Sequence, residues 1–256
     1  MTIRASLSCL AEIAPLRERY REEMNCQITH DSIHRRPGWT TSWLLTVDGS
    51  VAGYGAVAVA GPWRDKPTVI EYHVLPVHGV MVFRLFRTLA EASGAQFIEV
   101  QTNATLLAAI LMACSSNAVS ESIVFQDRVT TALPANGAVL RRVNSLEEAR
   151  QCFAQRQGSS EWQIELEGKV IGSGGIAFHY NFPYGDVYME IQEGFRRRGL
   201  GAWLVQELKR VCREDLRGVP CARCNTANLA SRRTLQKAGF VPCAHILNGA
   251  INLPLE

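Results

Sequence analysis

The chain has 256 residues, 47% hydrophobic and 20% charged, with a formal net charge of +3. That length fits one large domain or two small ones, and the composition is that of an ordinary globular protein rather than a disordered or fibrous one. A charge of +3 is too mild to imply nucleic-acid binding by itself, and no apolar run approaches the ~20 residues of a transmembrane helix.

At the N-terminus Leu10, Ile13, Leu16, Tyr20 and Met24 are interleaved with charge, so no signal-peptide core forms and the default location is cytoplasmic. Eight cysteines in such a chain read as reduced thiols. Trp43 to Gly49 alternates apolar and polar residues and ends in Asp48-Gly49, a hairpin signal, with Val51 to Gly55 following. After a loop around Gly61 to Pro67, Glu71 interrupts an apolar stretch. Leu75 to Met81 is a loop without arginines. A helical stripe then runs through Val82, Leu85, Phe86, Leu89 and Ala90. A strand near Phe97 to Gln101, then Asn103, then an apolar helix through Leu107, Ile110, Leu111 and Cys114 complete the first half.

Thr130 to Gly137 has linker chemistry, and Ala138 to Val143 restarts as a strand. Asn144-Ser145-Leu146-Glu147-Glu148 opens a helix with capping residues and first-turn acids. Trp162 to Gly168 then repeats Trp43 to Gly49, hairpin signal included, and Val170 to Gly174 repeats Val51 to Gly55. Carried on without a gap, the repeat pairs Glu71 with Glu190. Its period exceeds that of solenoids, so it denotes domain duplication. Gly172-Ser173-Gly174-Gly175 lies inside a β-like run and marks a bulge or a close approach of backbone. His179 to Tyr184 is an aromatic loop; it shapes an acceptor pocket or packs between domains, the latter being favoured.

The most informative stretch is Arg196-Arg197-Arg198-Gly199-Leu200-Gly201. It joins a strand, Asp186 to Gln192, to an amphipathic helix carrying Leu200, Trp203, Leu204, Leu208, Val211 and Cys212 on one stripe. A glycine-bearing turn into a helix lets backbone N–H groups approach an anion, and the helix dipole favours negative charge there. Three arginines beside those donors point to phosphate. A P-loop needs Lys-Ser or Lys-Thr after the second glycine, where Ala202-Trp203 stand; a dinucleotide fingerprint needs a small residue at Leu204. The pattern left is Arg-x-x-Gly-x-Gly after a strand. On this stretch alone, an arginine-rich surface loop remains the alternative. Val219 to Asn225 reads as a strand, in which Cys221 and Cys224 face opposite sides as buried small hydrophobes rather than metal ligands. Asn228-Leu229-Ala230-Ser231 then caps a second helix that ends at Ala238-Gly239-Phe240.

Those two motifs, in that order on those elements, resemble the GNAT superfamily of N-acetyltransferases over about residues 138 to 256. The resemblance implies an α/β (α+β) chain of two tandem GNAT-like domains, each a mixed, mostly antiparallel sheet flanked by helices. Residues 1–130 would be a degenerate copy without the cofactor loop, and 138–256 the copy with an acetyl-CoA site. It also implies direct attack of a primary amine on the thioester within a ternary complex. Backbone groups of Met189, Ile191 and Gln192 would hold the pantetheine arm, and amides of Arg197, Arg198, Gly199, Leu200, Gly201 and Ala202 the pyrophosphate. Arg196, Arg197, Arg198 and Arg232 would supply charge, while Asn228 and Ser231 would line the arm.

Glu190, charged and in the stretch of strand that leads into the loop, is the candidate base, with Tyr188 on the same face. A structural ion pair or a solvent-facing position is the alternative role for Glu190. The family's tyrosine general acid would fall at Leu235, a departure; Tyr180, Tyr184, Tyr188 and Cys224 are local substitutes. The expected partner is a small-molecule or peptide amine acceptor, with no nucleic acid, membrane or metal, in a monomer or homodimer. The competing function is a catalytically weak acyl-CoA-binding or regulatory module.

Overall fold

The computed structural model describes residues 1–143 and 162–253; the helix expected to open at Asn144 lies outside them. Both predicted hairpins form, on the turn chemistry that marks them. Asp48 and Gly49 have φ of 46° and 83°, and Glu167 and Gly168 have φ of 51° and 73°, the paired positive values of a tight hairpin turn. They join β2 (Thr40–Val47) to β3 (Ser50–Ala58) and β8 (Trp162–Leu166) to β9 (Lys169–Ala177), antiparallel in each case.

The chain divides into two compact units, 1–122 with 244–256, and 123–243. The division expected at 130–138 differs, because two long strands, β6 (Ser115–Asp127) and β12 (Phe240–Ile251), belong in part to each unit. In the first unit the order is β1 (Ile3–Ser8), β2, β3, β4 (Thr68–Val74), β5 (Phe97–Gln101), and then β12. There Ile246 to Ala250 pair with β5. In the second unit the order is β7 (Val139–Arg142), β8, β9, β10 (Tyr184–Ile191), β11 (Val219–Asn225), and then β6. So the strand that finishes each sheet comes from the other half of the sequence. Most neighbours are antiparallel, while β4 with β5 and β10 with β11 are parallel.

In the first unit, α1 (Leu10–Met24) packs on one side and α2 (Val82–Ser93) and α3 (Thr105–Cys114) bury Leu85, Phe86, Leu89, Leu107, Ile110 and Leu111 in the main core. In the second unit, α4 (Leu200–Glu214) carries the predicted stripe. Leu200, Trp203, Leu204, Leu208, Val211 and Cys212 are all buried, against Ile171, Val187, Ile191 and Ala222. Full burial of each large side chain contributes about 1.5–3 kcal/mol. The buried Lys209 fixes the far side of α4: its Nζ lies 2.7 Å from Asp127 and donates to the carbonyls of Val129 at 2.9 Å and Ala238 at 2.5 Å. α5 (Leu229–Lys237) ends beside it at Gly239, whose φ of 88° and approach to the Val129 carbonyl leave no room for a side chain.

The gapless repeat fails between β3 and β4. In the first unit Tyr54 faces His73 and Ala56 faces Glu71; at the matching places of the second, Ser173 faces Glu190 and Gly175 faces Tyr188. Glu190 therefore corresponds to His73, not Glu71. The causes are a connection one residue longer in the first unit, where Ala58 faces Thr68 as Ala177 faces Asp186, and a bulge in β4 at Ile70, opposite the Ala56/Val57 step, that β10 lacks.

Glu71 is fully buried. Arg17 donates from Nε to Oε2 at 2.8 Å and from a terminal nitrogen to Oε1 at 2.9 Å, Tyr54 donates to Oε2 at 3.0 Å, and His34 Nε2 lies 3.1 Å from Oε1. Burial alone would raise this carboxyl; the His34 hydrogen bond and the Arg17 charge outweigh it and hold Glu71 well below the usual carboxylate range. A carboxylate so depressed contributes stability above its unfolded pKa, and the contribution is lost as pH falls through the folded value. We expect Arg17→Met, which strands the buried charge, to lower the unfolding free energy at pH 7 by about 3–5 kcal/mol. The deficit in urea denaturation should shrink at acidic pH as Glu71 protonates.

Candidate functional site

The site begins where two parallel strands part. β10 and β11 pair only at Tyr184/Val219, Gly185/Pro220 and Asp186/Cys221. Beyond Asp186, β10 runs on to Ile191 paired with β9 alone, so its other edge faces an opening. Backbone groups along such an edge need partners. One is supplied locally: Arg196 Nε donates to the Ile191 carbonyl at 2.9 Å. The glycines of β9 let β10 lie close on its paired side. A Cβ on Gly172 would stand 2.6 Å from the Glu190 carbonyl, and one on Gly174 2.5 Å from that of Tyr188.

At the end of the opening the chain turns through Glu193–Phe195 into α4. Gly199 is the N-cap with φ of 81°, and Arg197 also has positive φ, 63°. Ala202 and Trp203 both donate to the Gly199 carbonyl. Among the described residues, none accepts a hydrogen bond from the backbone N–H of residues 197–201. These donors, at the positive end of a fifteen-residue helix, form an anion cradle.

The three arginines divide their work. Arg196 closes the loop onto Ile191; Arg198 donates to the Gly194 carbonyl at 3.3 Å and lies over the Phe195 ring; Arg197 is exposed. Two residues that sequence reasoning missed join them. Lys237 Nζ, from the last turn of α5, would be 3.8 Å from a Cβ on Gly199, and Asn136 donates to the Arg198 carbonyl at 3.3 Å. A lysine at a helix C-terminus carries no distinguishing signal in one sequence, since it also suits the helix dipole. Gly201 would bring a Cβ to 3.4–3.5 Å from Met189, Ile191 and Thr234, which is ordinary contact.

Asn228 caps α5 by accepting from the Ser231 N–H at 3.0 Å, and Arg232 is half-buried on the following turn. Leu235 is buried in the core, so the place expected for a tyrosine packs hydrophobic surface. Cys224 sits in that core as well; burial pushes its thiol up, against a hydrogen bond from Ser231. Cys221, also buried, is raised further by burial and by the Asp186 charge. Among the described residues no three His, Cys, Asp or Glu side chains gather to hold a metal ion, and no helix is long and apolar enough to cross a membrane.

Glu190 and Tyr188 are both exposed on one face of β10. Asp186 shares that face and is buried at the last paired rung. Burial raises its carboxyl to about 6, opposed by Arg223, whose Nε lies 3.5 Å from Oδ2. Sequence reading passed over Asp186 because it begins a strand and matches no motif; its signal is tertiary.

In the first unit the corresponding turn is Pro76–Met81. Leu75 donates to the Ala52 carbonyl as Gln192 does to that of Ile171, and His78 to Leu75 as Phe195 to Gln192. Counted on from those bonds, Val80, Val82 and Arg84 replace Arg197, Gly199 and Gly201. Val82 and Arg84 thus carry side chains where the second unit has glycines, and Val80, 97% exposed, is apolar where Arg197 is charged.

Residues 134–240 match the model of the acetyltransferase (GNAT) family. Three solved structures are similar over nearly the whole chain. A GNAT-family acetyltransferase from Colwellia psychrerythraea has a TM-score of 0.77 at 15% identity, covering 98% of this chain and 100% of that one. A tandem GNAT protein from the clavulanic acid biosynthesis pathway has 0.62 at 13%, covering 100% of both. A GCN5-related N-acetyltransferase from Sphaerobacter thermophilus has 0.61 at 16%, covering 99% and 97%. No curated protein sequence matches the chain. Residues 134–240 are therefore similar to a GNAT acetyltransferase domain, and the chain as a whole has a tandem GNAT fold.

Gly201→Ala should leave stability within about 1 kcal/mol of wild type or raise it, since helix propensity improves. Gly201→Leu should cost about 1–3 kcal/mol by overpacking against Met189 and Thr234. Urea denaturation of both variants checks the geometry of the turn.

Proposed function

We propose that the second unit is an acetyl-CoA-dependent N-acetyltransferase in which the free N–H groups of residues 197–201 bind the coenzyme pyrophosphate. Those donors are the observation that carries the reading: they lie after a strand whose far edge is open, beside Arg197 and Lys237. The pantetheine arm fits the open edge of β10, between Met189 to Gln192 and the start of α5 at Asn228, Ser231 and Arg232. The coenzyme supplies an activated acetyl thioester. The first unit, with Val80, Val82 and Arg84 at the equivalent turn, does not bind it.

We assign the base to Asp186 instead of Glu190. Glu190 adjoins Ile191 at the phosphate end, whereas Asp186 lies four residues further along the strand, about 13 Å at 3.3 Å per residue. That is the side where an extended arm from the cradle delivers its thioester. A base works best with a pKa near the working pH, and burial has moved Asp186 toward it. The acceptor arrives as an ammonium and gives its proton to Asp186. The amine nitrogen then bonds to the thioester carbonyl carbon and releases its second proton to solvent, the C–S bond breaks, and the thiolate takes a proton from solvent. Tyr188, exposed two residues away, lines the same face.

Isothermal calorimetry with CoA and a thiol-release assay over an amine panel test the reading. Absence of CoA binding to the full chain refutes it, and binding without transfer to any amine supports a regulatory module instead. Asp186→Asn should lower kcat by about 10²–10⁴ with CoA affinity nearly unchanged, and Glu190→Gln should change kcat little. Because the base must be deprotonated, wild-type activity should rise with pH through about 6. Lys237→Ala should weaken CoA binding about tenfold, the value of a hydrogen bond to a charged group (about 1.5 kcal/mol), and flatten its salt dependence.

A further inference from the structure

Asp186 does not stand alone on its face of the sheet. Arg223 of β11 lies two residues past the last paired rung, so its guanidinium reaches the point where the strands part. Three contacts orient it. Its Nε is 3.5 Å from Asp186 Oδ2, a terminal nitrogen donates to the Tyr180 hydroxyl, and the guanidinium carbon sits 4.8 Å from the Tyr180 ring centroid. Tyr180 is itself fixed: it is 7% exposed, with the His179 ring 4.0 Å from its own. The Arg223 side chain nevertheless keeps 37% of its surface exposed, against 12% for Asp186. A permanently charged group, held in one orientation, thus stands at the mouth of the site beside the buried carboxylate.

This arrangement discriminates among amines. An acceptor carrying only positive charge meets a fixed cation next to the carboxylate that must take its proton. An acceptor with a carboxylate one or two carbons from its amine meets complementary charges in both places, and a guanidinium pairs with carboxylate in a directional, two-pronged way. Selectivity then arises as much from repulsion of the wrong amines as from attraction of the right ones.

Resting on the acetyltransferase reading, we propose that Arg223 determines acceptor specificity and that the acceptor is an amine bearing its own carboxylate, of the amino-acid class. Tyr180 is a positioning residue that holds Arg223. The aromatic loop from His179 to Tyr184 thereby serves the acceptor side of the site.

The test uses the full chain with acetyl-CoA, the common L-amino acids, their C-terminal amides, putrescine and spermidine. Free acids should exceed the matched amides at least tenfold in kcat/KM, mostly through KM, and the polyamines should be poorer still. Arg223→Met should close the gap between acid and amide, Arg223→Lys should restore part of it, and Tyr180→Phe should narrow it while keeping the fold. Equal or better rates with amides or polyamines, or a loss in Arg223→Met that falls equally on acids and amides, overturn the proposal. If Arg223→Met fails to fold by circular dichroism, the acid-to-amide ratio of the wild type decides. CoA binding without acetylation of any free acid sinks this inference alone. A wild type that binds no CoA sinks the acetyltransferase reading and this one with it.

Discussion

The second unit is organised by a pairing that stops. Two parallel strands bond for three residues and then part, leaving one edge of β10 without a strand beside it. Parallel strands that diverge lose ladder hydrogen bonds, a cost a fold keeps only if something else meets the exposed backbone. Here the divergence begins at Asp186 and ends at a helix start with free donors. Everything proposed for the site follows from those two ends: a base where the strands separate and an anion cradle where the chain turns.

Several buried elements keep that opening in shape. The apolar stripe of α4 presses Leu204 and Leu208 onto the sheet, and Lys209 ties the helix to Asp127, Val129 and Ala238. Close-packed interiors transmit such constraints, so the turn at Gly199 is set by packing that starts ten residues further along the helix. The first unit shows the same scaffold put to another use. Its parallel pair also bonds only briefly, at Thr68/Phe97 and Val69/Ile98, yet the face of β4 is closed by a buried Glu71–Arg17–His34–Tyr54 network. A buried ion pair with all its partners is hard to breach, because removing Arg17 or Glu71 leaves an uncompensated buried charge.

The exchange of final strands qualifies the idea of two repeated domains. β12 completes the sheet of the first unit although it ends the second copy, and β6 passes the other way. Duplication of sequence therefore did not yield two units that are each continuous in the chain. Residue pairings from a gapless repeat are equally untrustworthy across a bulge. One extra residue in the β3–β4 connection and one at Ile70 together shift Glu71 out of correspondence with Glu190 and move every later comparison by two.

Local patterns were legible without a fold. The hairpins at Asp48-Gly49 and Glu167-Gly168, the stripe of α4, the Asn228 cap, the αL glycine at 239 and the glycine turn into Leu200 all depend on neighbours within a few residues, whose sterics and hydrogen bonds the sequence alone fixes. What only the tertiary structure decided involves partners far apart in the chain. The raised pKa of Asp186 comes from its burial, which Arg223 of another strand only partly offsets, Lys237 of α5 lies near Gly199 at the start of α4, and Glu190 proves exposed on its face of β10. Desolvation and charge proximity are functions of distance in space, and no spacing along the sequence reports them.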